Sequence, residues 1–339
     1  MIQEFTEKIS DRGVAGFLKV LLRGAGQVMF QCSAWTGLFF VAGIFWGAYY
    51  SDMPHVAWGA LLGLMVSTAT GYILNLPDED GRQGLWGFNG VLVGCAFPTF
   101  LGNTLWMWLS LALCAALTVW VREALNNVMR PWKINSFTFP FVISTWLFLL
   151  ASRAFFGLGS SHMAAPILPE HLATGGVLYV EQAAVYWLRG MSQVFLIDSW
   201  VTGMLFFIGL LVASRWAALW AAIGSALAIV VASALSASGH DIAHGLYSFS
   251  AVLTAIALAT VFYRPSWRSA LWAIVGIVIT VVSQAAMNVL LDPFGLSSLT
   301  APFCITTWMF LLPMFKLDEV TPDHSHWSPH LKQHLRSRS

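Results

Sequence analysis

The stretch Gly84-Leu-Trp-Gly-Phe-Asn-Gly-Val-Leu-Val-Gly94 occurs again, in degraded form, as Gly245-Leu-Tyr-Ser-Phe-Ser-Ala-Val-Leu-Thr-Ala255, 161 residues later. A self-match at that distance marks a duplicated chain, so any central site is expected to be built from paired positions. Phe88 and Phe249 each precede a leucine, Leu92 or Leu253, by four residues, which puts ring and leucine on one helical face. Asn89 of the first copy is Ser250 in the second. Gly84, Gly87, Gly90 and Gly94 recur every three or four residues, so another backbone can approach a helix here closely.

The duplicated chain is a membrane chain. Of its 339 residues 58% are hydrophobic and 10% charged, and its apolar runs recur at lengths near those that cross a bilayer. Hydropathy predicts spans near 34–50, 56–74, 85–102, 104–125, 138–158, 195–213, 216–235, 246–263, 267–290 and 296–315. Five spans per copy is an odd number, so the two copies enter the bilayer in opposite orientations as an inverted repeat. The expected fold is an all-α integral membrane protein made of two five-helix halves, each with a re-entrant half-helix. The halves fall at 21–158 and 187–315, with a cytoplasmic amphipathic arm at 1–20, an extracellular link at 159–186 and a cytoplasmic tail at 316–339.

Basic residues support that topology, because loops rich in Lys and Arg stay in the cytoplasm. With both termini inside, only Arg153 and Arg189 of the 17 Lys and Arg fall outside. The formal charge of +1 therefore carries no message about nucleic acid, and no nucleic-acid partner is expected. No cleavable signal peptide is evident. Cys32, Cys95, Cys114 and Cys304 lie in apolar segments without C-x-x-C spacing and read as small packed hydrophobes.

Three further features are paired. Leu22-Arg-Gly-Ala-Gly-Gln27-Val-Met-Phe30 matches Leu188-Arg-Gly-Met-Ser-Gln193-Val-Phe-Leu196 at a separation of 166. The segment from Gly24 to Ser33 is too short to span about 30 Å and reads as re-entrant, with its glutamine facing a cavity. A glutamine that merely ties helices together is the alternative. Phe137-Thr138-Phe-Pro140-Phe141 matches Leu299-Thr300-Ala-Pro302-Phe303 at 162. Proline disfavours helix in the residue before it, so the chain is expected to break at Phe139 and Ala301 and to free backbone carbonyls beside the threonine hydroxyls. A threonine bonding its own helix is the alternative there. The loop with His240, Asp241 and His244 lacks a third strong ligand at suitable spacing, so no metal site is expected and a pH-sensitive helix-end cap is read instead. Asp198 has no assigned role. His324, His326, His330 and His334 read as solvated tail residues.

The Gly-Leu-Trp-Gly-Phe-Asn-Gly-Val-Leu motif, the Arg-Gly-x-x-Gln-Val-x-Phe stretch and both Thr-x-Pro-Phe motifs together resemble the urea transporter family from about Leu21 to Lys316. The resemblance implies a channel-like urea facilitator in a homotrimer, each protomer with its own pore, in which two outer aromatic slots flank a narrow middle region. For a bacterial member it implies the inner (plasma) membrane. Carried across, Gln27 and Gln193 match polar pore residues, Phe30, Phe88 and Phe249 slot aromatics, Leu92 and Leu253 the constriction, and Thr138 and Thr300 the middle hydroxyls. Val28, Val194, Asn89, Phe141 and Phe303 complete the expected lining. Leu196 in the place of Phe30 and Ser250 in the place of Asn89 predict a looser slot in the second half.

Urea is flat and neutral, with four N–H donors, one acceptor and two π-type faces. A slot of rings and leucines admits it edge-on, and a ladder of acceptors replaces lost water bonds worth a few kcal/mol each. With no Asp, Glu, Lys or Arg expected among these positions, ions face a far larger penalty and permeation should be passive. No cofactor or enzymatic activity is expected, and the partners are urea and the lipid bilayer. The alternatives are a facilitator of other small amides or ammonia, an active transporter, and a membrane-embedded metal-dependent enzyme using the His240 loop.

Overall fold

A computed structural model describes residues 13–159, 162–172, 174–315 and 317. The arm residues 1–12 and the histidine-bearing tail lie outside these. Among the described residues there are fourteen α-helices and no strand. The first half holds α1 (Gly13–Gln27), α2 (Ala34–Tyr50), α3 (Pro54–Ile73), α4 (Asp78–Arg82), α5 (Phe88–Phe100), α6 (Leu105–Met129) and α7 (Phe139–Ala151). The second repeats the series as α8 (Ala183–Ser192), α9 (Trp200–Ala213), α10 (Arg215–Ala234), α11 (Gly239–Ala243), α12 (Phe249–Ile256), α13 (Trp267–Leu291) and α14 (Ala301–Leu311).

Backbone strain repeats with the sequence. Positive φ recurs at Phe30 (63°) and Leu196 (59°), at Asn75 (49°) and Ser236 (54°), at Gly84 (79°) and Gly245 (74°), and at Phe137 (51°) and Leu299 (49°). Bulky residues rarely adopt this conformation, so its recurrence at repeat positions shows that the turns, and not merely the apolar runs, were duplicated.

The halves meet through α2 and α9. Thr36 Oγ1 donates to the Gly209 carbonyl at 2.8 Å and Thr202 Oγ1 to the Gly43 carbonyl at 2.7 Å. Thr36 pairs with Thr202 and Gly43 with Gly209 at the same separation of 166, so the bonds are one contact read from either side. An early residue of each helix meets a late residue of the other, which makes the helices antiparallel and the halves inverted. Phe40 and Phe206, another pair at 166, meet with ring centroids 4.8 Å apart on the same local axis.

Ten full-length spans are not what forms. Pro54–Ile73, Leu105–Trp132, Arg215–Ala234 and Trp267–Phe294 are long and apolar enough to cross a membrane. The predicted spans at 85–102, 138–158, 246–263 and 296–315 contain instead the short apolar helices Phe88–Phe100, Phe139–Ala151, Phe249–Val261 and Ala301–Leu311. Even the 13-residue ones reach only about 20 Å against a core of about 30 Å. Hydropathy counts the turns before these helices as span, because their residues are apolar and buried although their backbone is not helical.

The re-entrant segments are also placed differently. The half-helix precedes each glutamine: α1 runs 15 residues to end at Gln27, and the chain turns through Phe30 before α2. The later counterpart bends by 77° between Val180–Phe195 and Trp200–Ala213. Because α1 is continuous across residues 20 and 21, the expected arm has no boundary there; Lys19, Val20 and Leu21 are all buried. The inter-repeat link is strapped to the second half, with Gly175 N donating to the Ser236 carbonyl, Gly239 N to the Gly175 carbonyl and Ile167 N to the Asp292 carbonyl.

Glycine lets α3 and α5 touch backbone to backbone. A Cβ on Gly94 would lie 2.1 Å from the Gly59 carbonyl oxygen, and one on Gly63 would lie 2.1 Å from the Gly90 carbonyl oxygen. In the second half Ala255 takes the place of Gly94, and Gly224, the partner of Gly63, faces Ala251 and Ala255. Gly94→Ala is expected to destabilise by about 1–3 kcal/mol through overpacking, read as a lower thermal midpoint in detergent, whereas Ala255→Gly should cost about 1 kcal/mol or less.

Candidate functional site

Two small cavities flank a contact between the halves. Thr138 Oγ1 and Thr300 Oγ1 lie 2.7 Å apart, one hydroxyl donating to the other, and Thr138 Oγ1 is also 3.4 Å from Cys304 Sγ. These threonines are a repeat pair bonded to each other, so they sit on the local two-fold axis. Each stands at the start of a short helix, Thr138 before α7 and Thr300 before α14.

The first cavity, about 70 Å³, is walled by Gln27, Val28, Phe30, Leu85, Phe88, Asn135, Phe137 and Thr138, with Phe303 from the other half. The second, about 30 Å³, is walled by Gln193, Val194, Leu196, Leu246, Phe249, Ser297, Leu299 and Thr300, with Phe141 from the first half. Every wall position of the second cavity is the repeat partner of one in the first, at 161, 162 or 166 residues. Phe141 and Phe303 cross over, each completing the other half's cavity. In the first cavity Phe303 packs edge-on to Phe30 at 5.9 Å and tilted against Phe137 at 5.5 Å, a cluster that joins the halves.

Three residues of the first cavity have no counterpart in the second wall: Arg122, Asn126 and Ser136. Their partners at 162 are Gln284, Asn288 and Ser298. Gln284 Nε2 donates to Asn288 Oδ1 at 3.0 Å and to Ser298 Oγ at 2.5 Å, so these three close on one another. In the first half Arg122 turns instead to Asp80 at 2.9 Å and to Glu123, and Asn126 Oδ1 accepts from Ser136 N at 2.8 Å. The expected looser slot in the second half is therefore reversed.

Arg122 is a charged wall residue outside the positions singled out in the sequence. It is buried, and its guanidinium charge is balanced by two carboxylates that are not themselves part of the wall. The breaks at Thr138 and Thr300 are helix N-termini, which present N–H groups and the positive end of the helix dipole beside the non-helical residues that precede them. Asn89 lines neither cavity: it is buried, and its Oδ1 accepts from the Phe141 amide at 3.1 Å, satisfying one of those N–H groups. Ser250, its partner, leaves its hydroxyl buried without a hydrogen bond. Leu92 and Leu253 are completely buried and line neither cavity. Gln27 Nε2 donates to the Gln83 carbonyl at 2.9 Å, which fixes that side chain in the wall.

The urea transporter family matches residues 18–314 of this chain. The chain is 30% identical to urea transporter 1 of Ovis aries over 319 residues, which cover 92% of this chain and 81% of the relative. It is 29% identical to urea transporter 1 of Capra hircus and of Rattus norvegicus, with the same coverage. The chain belongs to the urea transporter family. It is a multi-pass integral membrane protein and a transporter, and the function that goes with the family is urea permeation.

For a urea transporter, several wall residues escaped the sequence reading: Leu85 and Leu246, Asn135 and Ser297, Phe137 and Leu299, and the unmatched Arg122, Asn126 and Ser136. The first six were accessible, because each pair recurs at the same separation as the motif beside it. Asp198 and the histidine loop also acquire definite contacts. Asp198 Oδ1 lies 3.0 Å from Arg189 Nε and its Oδ2 meets His244 Nδ1. The helix cap expected of the histidines is supplied by Ser238, whose hydroxyl accepts from Asp241 N.

Asn89→Ala leaves the buried Phe141 amide unpaired and should cost about 1–3 kcal/mol, read as a fall in the thermal midpoint in detergent. Ser250→Ala removes a hydroxyl that has no partner and should leave the midpoint within about 0.5 kcal/mol of the parent.

Proposed function

We propose that the two cavities are the ends of one passage for urea that meets at the Thr138–Thr300 pair, and that the protein is a passive, channel-like facilitator. The observation that supports this most is the position-by-position match between the two walls on either side of that pair. A symmetric passage needs no separate inward and outward sites, because the same groups serve entry and exit.

Urea gives up water hydrogen bonds at the rate of a few kcal/mol each unless the wall replaces them. Gln27, Gln193 and the two threonine hydroxyls can take up its N–H groups, and the rings of Phe30, Phe88, Phe249, Phe141 and Phe303 bound its faces. At the middle, a urea molecule exchanges the Thr138–Thr300 bond for bonds to itself, so opening leaves no hydroxyl unpaired. Two helix N-termini converging on this point favour a carbonyl oxygen and disfavour a cation. Small volumes with several modest contacts suit fast release better than one deep site.

From the family resemblance and the distribution of basic residues, and not from the cavities, we further propose a homotrimer with one passage per protomer, in a bacterial inner membrane with both termini cytoplasmic, and without enzymatic activity. Measurement of the mass of the complex in detergent tests the trimer. In proteoliposomes urea flux should rise linearly into the millimolar range and ignore ionophores; a flux driven by a proton gradient would point to an active transporter. Thr138→Val and Thr300→Val, each removing about 1 kcal/mol of hydrogen bonding, should lower urea flux several-fold while the protein stays folded, with only a small fall in its thermal midpoint. Unchanged flux in both variants would take the hydroxyls out of the mechanism.

A further inference from the structure

The neighbourhood of the second cavity carries a group that urea permeation does not use. His240 and His244 stand one turn apart in and just after α11, with ring centroids 4.4 Å apart. Each ring has its Nδ1 against a different carboxylate: His240 Nδ1 lies 3.3 Å from Asp241 Oδ1, and His244 Nδ1 meets Asp198 Oδ2. Asp198 is held in turn by Arg189 Nε at 3.0 Å, and Arg189 Nη1 donates to the Ala243 carbonyl at 3.2 Å. A carboxylate at Nδ1 draws the ring proton to that nitrogen and leaves the lone pair on Nε2. This is how metal-binding imidazoles are prepared.

We propose that His240 and His244 bind a divalent late transition ion, Zn²⁺, Cu²⁺ or Ni²⁺, through their two Nε2 atoms, and that its occupancy slows urea permeation at this mouth. Imidazole nitrogen suits these ions and not Mg²⁺ or Ca²⁺, which take oxygen ligands. Residues at i and i+4 lie on one helical face, and this spacing lets two histidines share one ion. No group of three or more ligating side chains converges among the described residues, so water completes the ion's shell. The His240 side chain is 74% exposed and the His244 side chain 33%, which gives the ion a route in from solvent.

The link to the passage is through the chain on both sides. His244 is followed by Gly245 and then by Leu246, a wall residue, and Asp198 lies two residues after Leu196, another wall residue. An ion bridging the two rings ties α11 to that rim. The first half has no such group: Glu79, Gln83 and Cys32 occupy the places of His240, His244 and Asp198. The site therefore belongs to one mouth only.

The test uses the full-length chain with His324, His326, His330 and His334 replaced by alanine, so that tail imidazoles do not contribute. Titration of this parent in detergent with Zn²⁺, and separately with Ni²⁺, should show one ion per chain at a site that His240→Ala weakens at least tenfold. His240 is exposed, so its loss should leave the thermal midpoint unchanged. Asp198→Asn should weaken binding roughly tenfold through His244 alone. Identical titrations for the parent and His240→Ala would overturn the site. This binding arm stands whether or not the chain conducts urea; the flux arm rests on the permeation reading. Zn²⁺ added outside proteoliposomes should slow urea flux several-fold in the parent and not in His240→Ala. Undiminished flux in the parent at saturating Zn²⁺ would remove the inhibitory role.

Discussion

Every backbone N–H and C=O at membrane depth must find a partner, because lipid offers none, and four of the helices in this protein start in places where that demand is hard to meet. α5, α7, α12 and α14 are too short to cross the bilayer, so their first amide groups fall inside the protein. Only another part of the chain can cover them. The Asn89 side chain takes the Phe141 amide, the Thr138 and Thr300 hydroxyls meet over the starts of α7 and α14, and glycine contacts let α3 lie directly on α5. Two inverted halves solve the problem together, since each brings its short helices to the other's centre.

In the proposed reading, the same arrangement serves as the passage for a small uncharged solute. A helix that starts in the middle of the membrane points its N–H groups and its positive dipole end at whatever lies there. Two such starts facing one another across a threonine pair form a polar centre with no formal charge of its own. Around it the walls are aromatic and aliphatic, and Phe141 and Phe303 each belong to the half opposite the cavity they line.

The departures from symmetry make the two cavities unlike. Arg122, paired with Asp80 and Glu123, lines the first cavity with Asn126 and Ser136, whereas Gln284, Asn288 and Ser298 bond to one another and do not line the second. The second mouth carries the Arg189, Asp198 and His244 chain of contacts, where the first has Arg23, Cys32 and Gln83. The walls repeat faithfully while the residues just behind them diverge. In the proposed passage a solute would meet similar walls from either side.

Much of this was legible without coordinates. Membrane class, duplication and inversion follow from hydropathy, self-similarity and an odd span count, which are properties of a one-dimensional string. Pairing alone also picked out Gln27 with Gln193 and Thr138 with Thr300. What the string does not record is where an apolar segment stops being helical: the turns at 85–87 and 246–248 read as span because water exclusion, not conformation, sets hydropathy. Nor does it say which way a side chain is pulled. Arg122 and Gln284 occupy equivalent places, yet one lines its cavity and the other does not, and their partners, Asp80 for one and Ser298 for the other, come from elsewhere in the chain. The class of the protein and its paired positions were properties of the sequence; the walls of the two cavities were decided only by which distant side chains the folded chain brings together as hydrogen-bond partners.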